Sequence, residues 1–129
     1  MKLGYTILYV ADVAQSLAFY EGAFGLSRRF LHESGAYGEL DTGATVVGFA
    51  ALELANANFE GGVQPLDAQA RPPAFELGFV TEDVGAAHAK ALAAGAVELQ
   101  PPTAKPWGQT VSYLRCPDGS LVEICTPMG

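Results

Sequence analysis

The sequence predicts an α+β domain built from two βαβββ modules, and three features carry that expectation. The first is an internal repeat. Asp12-Val13 returns as Asp83-Val84 at an offset of 71 (83 − 12), and Leu52-Glu53-Leu54 returns as Val122-Glu123-Ile124 at an offset of 70 (123 − 53). The second is that each Asp-Val pair opens a helix-like stretch ending at a glycine, Gly25 or Gly95. The third is the placing of strand-like runs, one before each helix and about three after it. A ferredoxin-like βαββαβ chain is the main rival, and it has too few strands after each helix. Two repeats are fewer than the roughly three a solenoid needs, yet they suffice for a pseudo-symmetric domain.

Residues 3–10 (LGYTILYV) have the β-branched and aromatic content of a strand. Asp12 stands where an N-cap would, with Gln15 three residues on as in a capping box. Val13, Leu17, Tyr20 and Phe24 then recur at spacings of 4, 3 and 4, which is one helical stripe. Strand candidates follow at 28–33, 37–40 and 45–54, with Gly35 and Gly43 as breaks. Residues 55–73 lose the periodicity and gather Asn, Gly and Pro, so they read as a linker between module 1 (1–54) and module 2 (74–129). In the second module 74–81 is strand-like, Asp83 caps an alanine-rich helix over 84–94, and 97–100, 110–115 and 121–125 are strand candidates. Pro117-Asp118-Gly119 makes the turn between the last two.

Strand alternation sorts the side chains by face. Leu121, Glu123 and Cys125 point one way and Val122 and Ile124 the other. Glu76, Gly78 and Val80 likewise share a face opposite Phe75, Leu77 and Phe79. One face is apolar and fits against a helix. The other carries the carboxylates and is expected to line a cavity, because a buried carboxylate needs a partner.

With 129 residues there is room for one ordinary domain, and an apolar half with 16% charged residues favours a packed core. No apolar run approaches the roughly 20 residues of a membrane span. The N-terminus leads straight into a strand pattern rather than an apolar leader with a cleavage site, so a cytoplasmic protein is expected. Fourteen acidic against seven basic residues give a net charge of −7, which disfavours nucleic acid as a partner. That balance suits a neutral or cationic small molecule and serves solubility as well. Cys116 and Cys125 lie nine apart without a CxxC pair or a His-rich companion, which points to thiols in a reducing compartment rather than a zinc site. No P-loop, Gly-rich dinucleotide motif, nucleophile elbow or Ser-His-Asp order is present.

Two phrases carry a family resemblance. The run TILYVADVAQSLAFYEGAFGL is similar to the opening strand, helix and Gly-hydrophobic exit of vicinal oxygen chelate proteins. The run CPDGSLVEI resembles their closing turn and strand, where a Pro-Asp/Asn-Gly turn precedes an apolar-Glu-apolar triplet. The chain thus resembles the superfamily of glyoxalases, bleomycin-resistance proteins and extradiol dioxygenases over nearly its whole length apart from the linker. The resemblance implies sheets curled into an open, barrel-like cavity and a homodimer.

In metal-dependent members four strand side chains, typically His, Gln or Glu, hold a divalent metal. The resemblance places them at Tyr5, Glu53, Glu76 and Glu123, and the repeat pairs Tyr5 with Glu76 and Glu53 with Glu123. Imidazole is absent from that set, and a neutral phenol is a poor ligand. Glu53, Glu76 and Glu123 could hold a hard cation through oxygen if a metal binds. Without one, converging carboxylates repel, one of them should keep its proton, and Glu76 and Glu123 become candidate acid–base catalysts. Trp107, in the run KPWGQT before a strand, is a candidate to stack on a planar or cationic ligand. His88 is expected at the helix–sheet contact and His32 in a strand, with Arg28 and Arg29 on a solvated edge. Two functions follow. One is a protein that binds or sequesters a small aromatic or cationic molecule in an acidic cavity, as bleomycin-resistance proteins do. The other is a metal-dependent lyase/isomerase or dioxygenase of the glyoxalase kind.

Overall fold

The computed structural model describes residues 1–128. The chain divides into two compact units, Met1–Leu66 and Asp67–Gly129. Each is a four-stranded mixed sheet with a long helix against one face, and the strand order is the same in both.

The first unit runs β1 (Tyr5–Val10), α1 (Val13–Phe24), β2 (Ser27–Leu31), β3 (Tyr37–Asp41), β4 (Val46–Ala51) and α2 (Leu52–Asn58). The second runs β5 (Leu77–Val80), α3 (Val84–Ala94), β6 (Val97–Ala104), β7 (Thr110–Arg115) and β8 (Leu121–Cys125). The sheets are ordered β1-β4-β3-β2 and β5-β8-β7-β6, with the first pair of each parallel and the others antiparallel. A parallel pair needs a crossover, and α1 and α3 begin those crossovers.

The helix signals act as their chemistry dictates. Asp12 and Asp83 accept from the backbone N–H of Gln15 and Ala86, each at 3.0 Å. Gly25 at φ 67° and Gly95 at φ 119° end the helices in the left-handed region, where a Cβ would be strained. The α1 stripe buries Val13, Leu17 and Tyr20, and the Tyr20 ring packs on Phe49 of β4 with centroids 4.9 Å apart. Phe49, Leu40 and Leu17 form the centre of this core, and Leu114, Val122 and Ile124 form that of the second unit.

Three strand expectations are corrected. The candidate at 45–54 ends at Ala51 and turns directly into α2, so the stretch read as a linker opens with a helix. Leu-Glu-Leu alternates like a strand, but Leu54 and Ala55 turn inward together and α2 packs on β1 and β4. His32 lies past β2 in the β2–β3 turn, with its Nδ1 2.7 Å from Ser34 Oγ. The candidate at 97–100 continues to Ala104 through Pro101 and Pro102. It can do so because β6 is an edge strand whose register shifts between Gln100 and Thr103, sparing both prolines a ladder bond.

Candidate functional site

Both sheets keep one face for the long helix, α1 or α3, and leave the other free of it, with α2 of the first unit reaching the Tyr9 end of that second face. In the first unit Gly38 marks the helix side, since a Cβ there would meet Leu17 Cδ1 at 2.5 Å. Gly48 marks the opposite side, where a Cβ would meet the Tyr37 hydroxyl at 2.6 Å. Register then puts Tyr5, Ile7 and Tyr9 of β1, Gly48 of β4, and Tyr37 and Glu39 of β3 on the helix-free face. Asn58 of α2 reaches Tyr9 Oη at 3.3 Å at the end of this face.

Glu39 is buried there. It accepts a 2.7 Å hydrogen bond from Tyr37 Oη, and its other oxygen lies 3.3 Å from Arg29 Nε. Burial first, then the hydrogen bond and charge of Glu39, hold the Tyr37 phenol well above its usual pKa.

In the second unit the same face carries Gly78 and Val80 of β5, Glu123 and Cys125 of β8, and Tyr113 of β7. Glu76 immediately precedes β5. Tyr113 Oη donates to Glu123 Oε1 at 2.7 Å, and its pKa is pushed up to about 12 by that bond, then by burial and neighbouring negative charge. Burial, the charge of Glu123 and a hydrogen bond to it raise the pKa of Glu76, although Glu76 keeps an exposed surface. Burial and the same carboxylates raise the pKa of the Cys125 thiol. Glu76 and Glu123 therefore act on each other electrostatically on this face. Arg115, at the end of β7, is engaged elsewhere: its guanidinium donates to the carbonyls of Gly119, Ala70 and Asp67 at 3.0, 2.9 and 2.7 Å.

The remaining candidates separate from this pair. Glu53 is on the first turn of α2, exposed, rather than on a strand. The ladders also correct its pairing with Glu123 in the repeat. By ladder register Ile7 pairs with Gly48 and Gly78 with Glu123, so Gly48 is the counterpart of Glu123, at an offset of 75 (123 − 48). Tyr5 does correspond to Glu76 at 71 (76 − 5), because β1 and β5 keep that offset, and it is 60% exposed. Trp107 is also exposed, in the β6–β7 connection, with its Nε1–H on Gln109 Oε1 at 2.7 Å. Gln109 is anchored in turn on the Thr126 carbonyl at 2.8 Å.

Sequence reasoning missed two groups. Glu39 was readable in principle, since Tyr37 and Glu39 are two apart on one strand. The other comprises Ser112, His88 and Glu98: His88 Nδ1 is 2.9 Å from Ser112 Oγ, and Nε2 is 2.8 Å from Glu98 Oε1. The order resembles an acyl-transfer triad, but Ser112 is fully buried under α3, out of a substrate's reach. It is a polar staple between α3, β6 and β7.

The residues do not fit a divalent metal. Among the described residues no three His, Cys, Asp or Glu side chains converge on one point. Glu123 has one oxygen bonded to Tyr113, Gly48 offers no side chain, and Glu53 is on a helix.

Comparison with known proteins agrees with the fold. The sequence profile of the glyoxalase-like domain family matches residues 3–129, and the chain belongs to that family, within the vicinal oxygen chelate superfamily. Its structure is similar to that of a glyoxalase-related enzyme from Fulvimarina pelagi, with a TM-score of 0.83, 22% identity, and coverage of 98% of this chain and 88% of that one. It is similar to a glyoxalase/bleomycin resistance protein/dioxygenase family enzyme from Burkholderia phytofirmans PsJN, with a TM-score of 0.77, 24% identity and 98% of each chain covered. A protein of unknown function from Agrobacterium tumefaciens gives a TM-score of 0.78 and 26% identity, covering 99% of this chain and 95% of that one. No curated protein matches the sequence.

Proposed function

We propose that this glyoxalase-family protein binds a small aromatic or cationic molecule at the Glu76–Glu123 pair. One observation carries the reading: two carboxyl groups meet on a helix-free face, with Tyr113 holding one of them and Arg115 turned to backbone carbonyls. A ligand cation supplies the missing counter-charge and favours the ionised form of Glu76. The lack of a fitting metal-ligand set leaves the Lewis-acid alternative without support from this chain's own residues.

The sign of the pH dependence follows. Glu76 has a raised pKa, so the pair holds a proton past the pH at which an ordinary glutamate has lost it. Cation binding expels that proton, and affinity therefore rises with pH across the interval in which Glu76 ionises. The test is calorimetric titration with benzyltrimethylammonium at about pH 7 and about pH 5. Saturable binding is expected, weaker at the lower pH and reduced about tenfold or more in Glu123→Gln, which keeps an acceptor for Tyr113. Binding of equal strength in that variant, or none up to about 10 mM, would overturn the reading.

A further inference from the structure

We propose that the helix-free face of the first unit binds a small aromatic carboxylate, which pairs with the guanidinium of Arg29 while its ring lies against Phe30 and Tyr37. The case begins with a local irregularity. In the β2–β3 ladder Arg28 pairs with Leu40, Phe30 with Glu39 and Leu31 with Gly38, so Arg29 is the extra residue of a β-bulge.

That bulge decides which way three side chains point. Arg28 goes to the helix side, where its Nε and Nη2 donate to Glu21 Oε1 at 3.1 and 2.6 Å. Strict alternation would then send Phe30 to the helix side too. Instead Phe30 stands opposite Glu39, its ring 6.0 Å from that of Tyr37, and Arg29 reaches the same Glu39. Leu31 returns to the helix side, where its Cδ1 would lie 3.4 Å from a Cβ at Gly38. One inserted residue thus puts a cation and an aromatic ring side by side on the helix-free face.

The chemistry of the cluster selects the ligand. Glu39 is buried and fixed by Tyr37, so it holds Arg29 by the Nε edge. The two Nη groups have no partner among the described residues, and Arg29 is 49% exposed. A guanidinium held this way presents two parallel N–H donors, which match a carboxylate. Phe30, 42% exposed, and the Tyr37 ring beside it offer an aromatic surface next to that fork. Glu39 is a positioning residue here and Arg29 the binding one.

The second unit lacks this site for an identifiable reason. It repeats the bulge, with Glu98 opposite Leu114 and Gln100 opposite Tyr113, but the extra residue is Leu99. The two units therefore carry opposite specificities, a cation fork in the first and an acid pair in the second.

Calorimetry with benzoate tests this, using acetate and benzyltrimethylammonium as comparison ligands. Benzoate is expected to bind saturably and about tenfold or more tighter than acetate. Arg29→Gln should weaken benzoate about tenfold or more. Arg29→Lys should fall between, because an ammonium keeps the charge without the fork. Arg29→Gln takes the counter-charge from buried Glu39 and should lower the melting temperature. Arg29→Lys keeps the charge and should melt as the parent does, so a benzoate loss in the lysine variant reads the fork and not stability. The proposal fails if benzoate shows no saturable heat up to about 10 mM, if acetate binds as tightly, or if Arg29→Gln has no effect. Failure of the benzyltrimethylammonium titration alone would overturn the acid-pair reading and leave this one standing.

Discussion

Gly48 shows how a single missing side chain shapes the first unit. It is buried opposite Glu39 in the ladder, and its bare Cα admits the Tyr37 hydroxyl, which then reaches Glu39. A methyl group at this position would lie 2.6 Å from that hydroxyl and 3.1 Å from the ring carbon bearing it. The ring would have to move and its hydrogen bond to a buried carboxylate would weaken. Gly48→Ala is expected to cost about 1–3 kcal/mol in chemical denaturation, as overpacking typically does. Tyr37→Phe removes the clashing oxygen, so the double variant should lose less than the sum of the single losses. A strictly additive cycle would show that Tyr37 does not depend on the space left by Gly48.

At the scale of the element, what was legible in the sequence had a chemical signature within a few residues. Asp12 and Asp83 announce helix starts, Gly25 and Gly95 announce ends, and the Val13–Leu17–Tyr20 stripe announces the buried side. Helix α2 had no such signature: its N-cap is Ala51 without a side-chain cap, and Leu52-Glu53-Leu54 alternates like a strand. The bulges at Arg29 and Leu99 were also out of reach, because register is a property of two strands.

Arg115 makes an element-scale device of this kind. Its guanidinium ties the end of β7 to the Gly119 turn and to the backbone at Asp67 and Ala70. That fixes the irregular segment at the start of the second unit. Arg115→Ala should cost about 3 kcal/mol, in keeping with several charge-assisted hydrogen bonds lost together. It should also speed hydrogen exchange at Gln69 and Ala70, whose amides bond within the tethered segment. Unchanged exchange there would mean the segment holds itself.

Across the whole chain, the repeat was legible where the two copies keep step and misleading where they do not. Leu8 and Phe79 correspond at an offset of 71 (79 − 8), but Leu40 and Leu114 at 74 (114 − 40) and Phe49 and Ile124 at 75 (124 − 49). The longer β6 and its connection to β7 account for most of that slippage. Leu52-Glu53-Leu54 resembles Val122-Glu123-Ile124 by composition alone, and that resemblance concealed the true counterpart, Gly48. The consequence reaches the chemistry. Corrected for the slippage, the positions that the resemblance assigns become Tyr5, Gly48, Glu76 and Glu123, only two of them carboxylates, and the charge of Glu123 raises the pKa of Glu76. Two such oxygens satisfy neither the tetrahedral set of zinc nor the oxygen shell of calcium or magnesium. Protein incubated with equimolar Zn2+, Ni2+ or Mn2+ and then gel-filtered is therefore expected to retain well under about 0.2 metal per chain by elemental analysis, with a melting shift below about 1 °C. Retention near one per chain that falls away in Glu123→Gln would show that the acid pair recruits further donors, and would restore the Lewis-acid reading of the site.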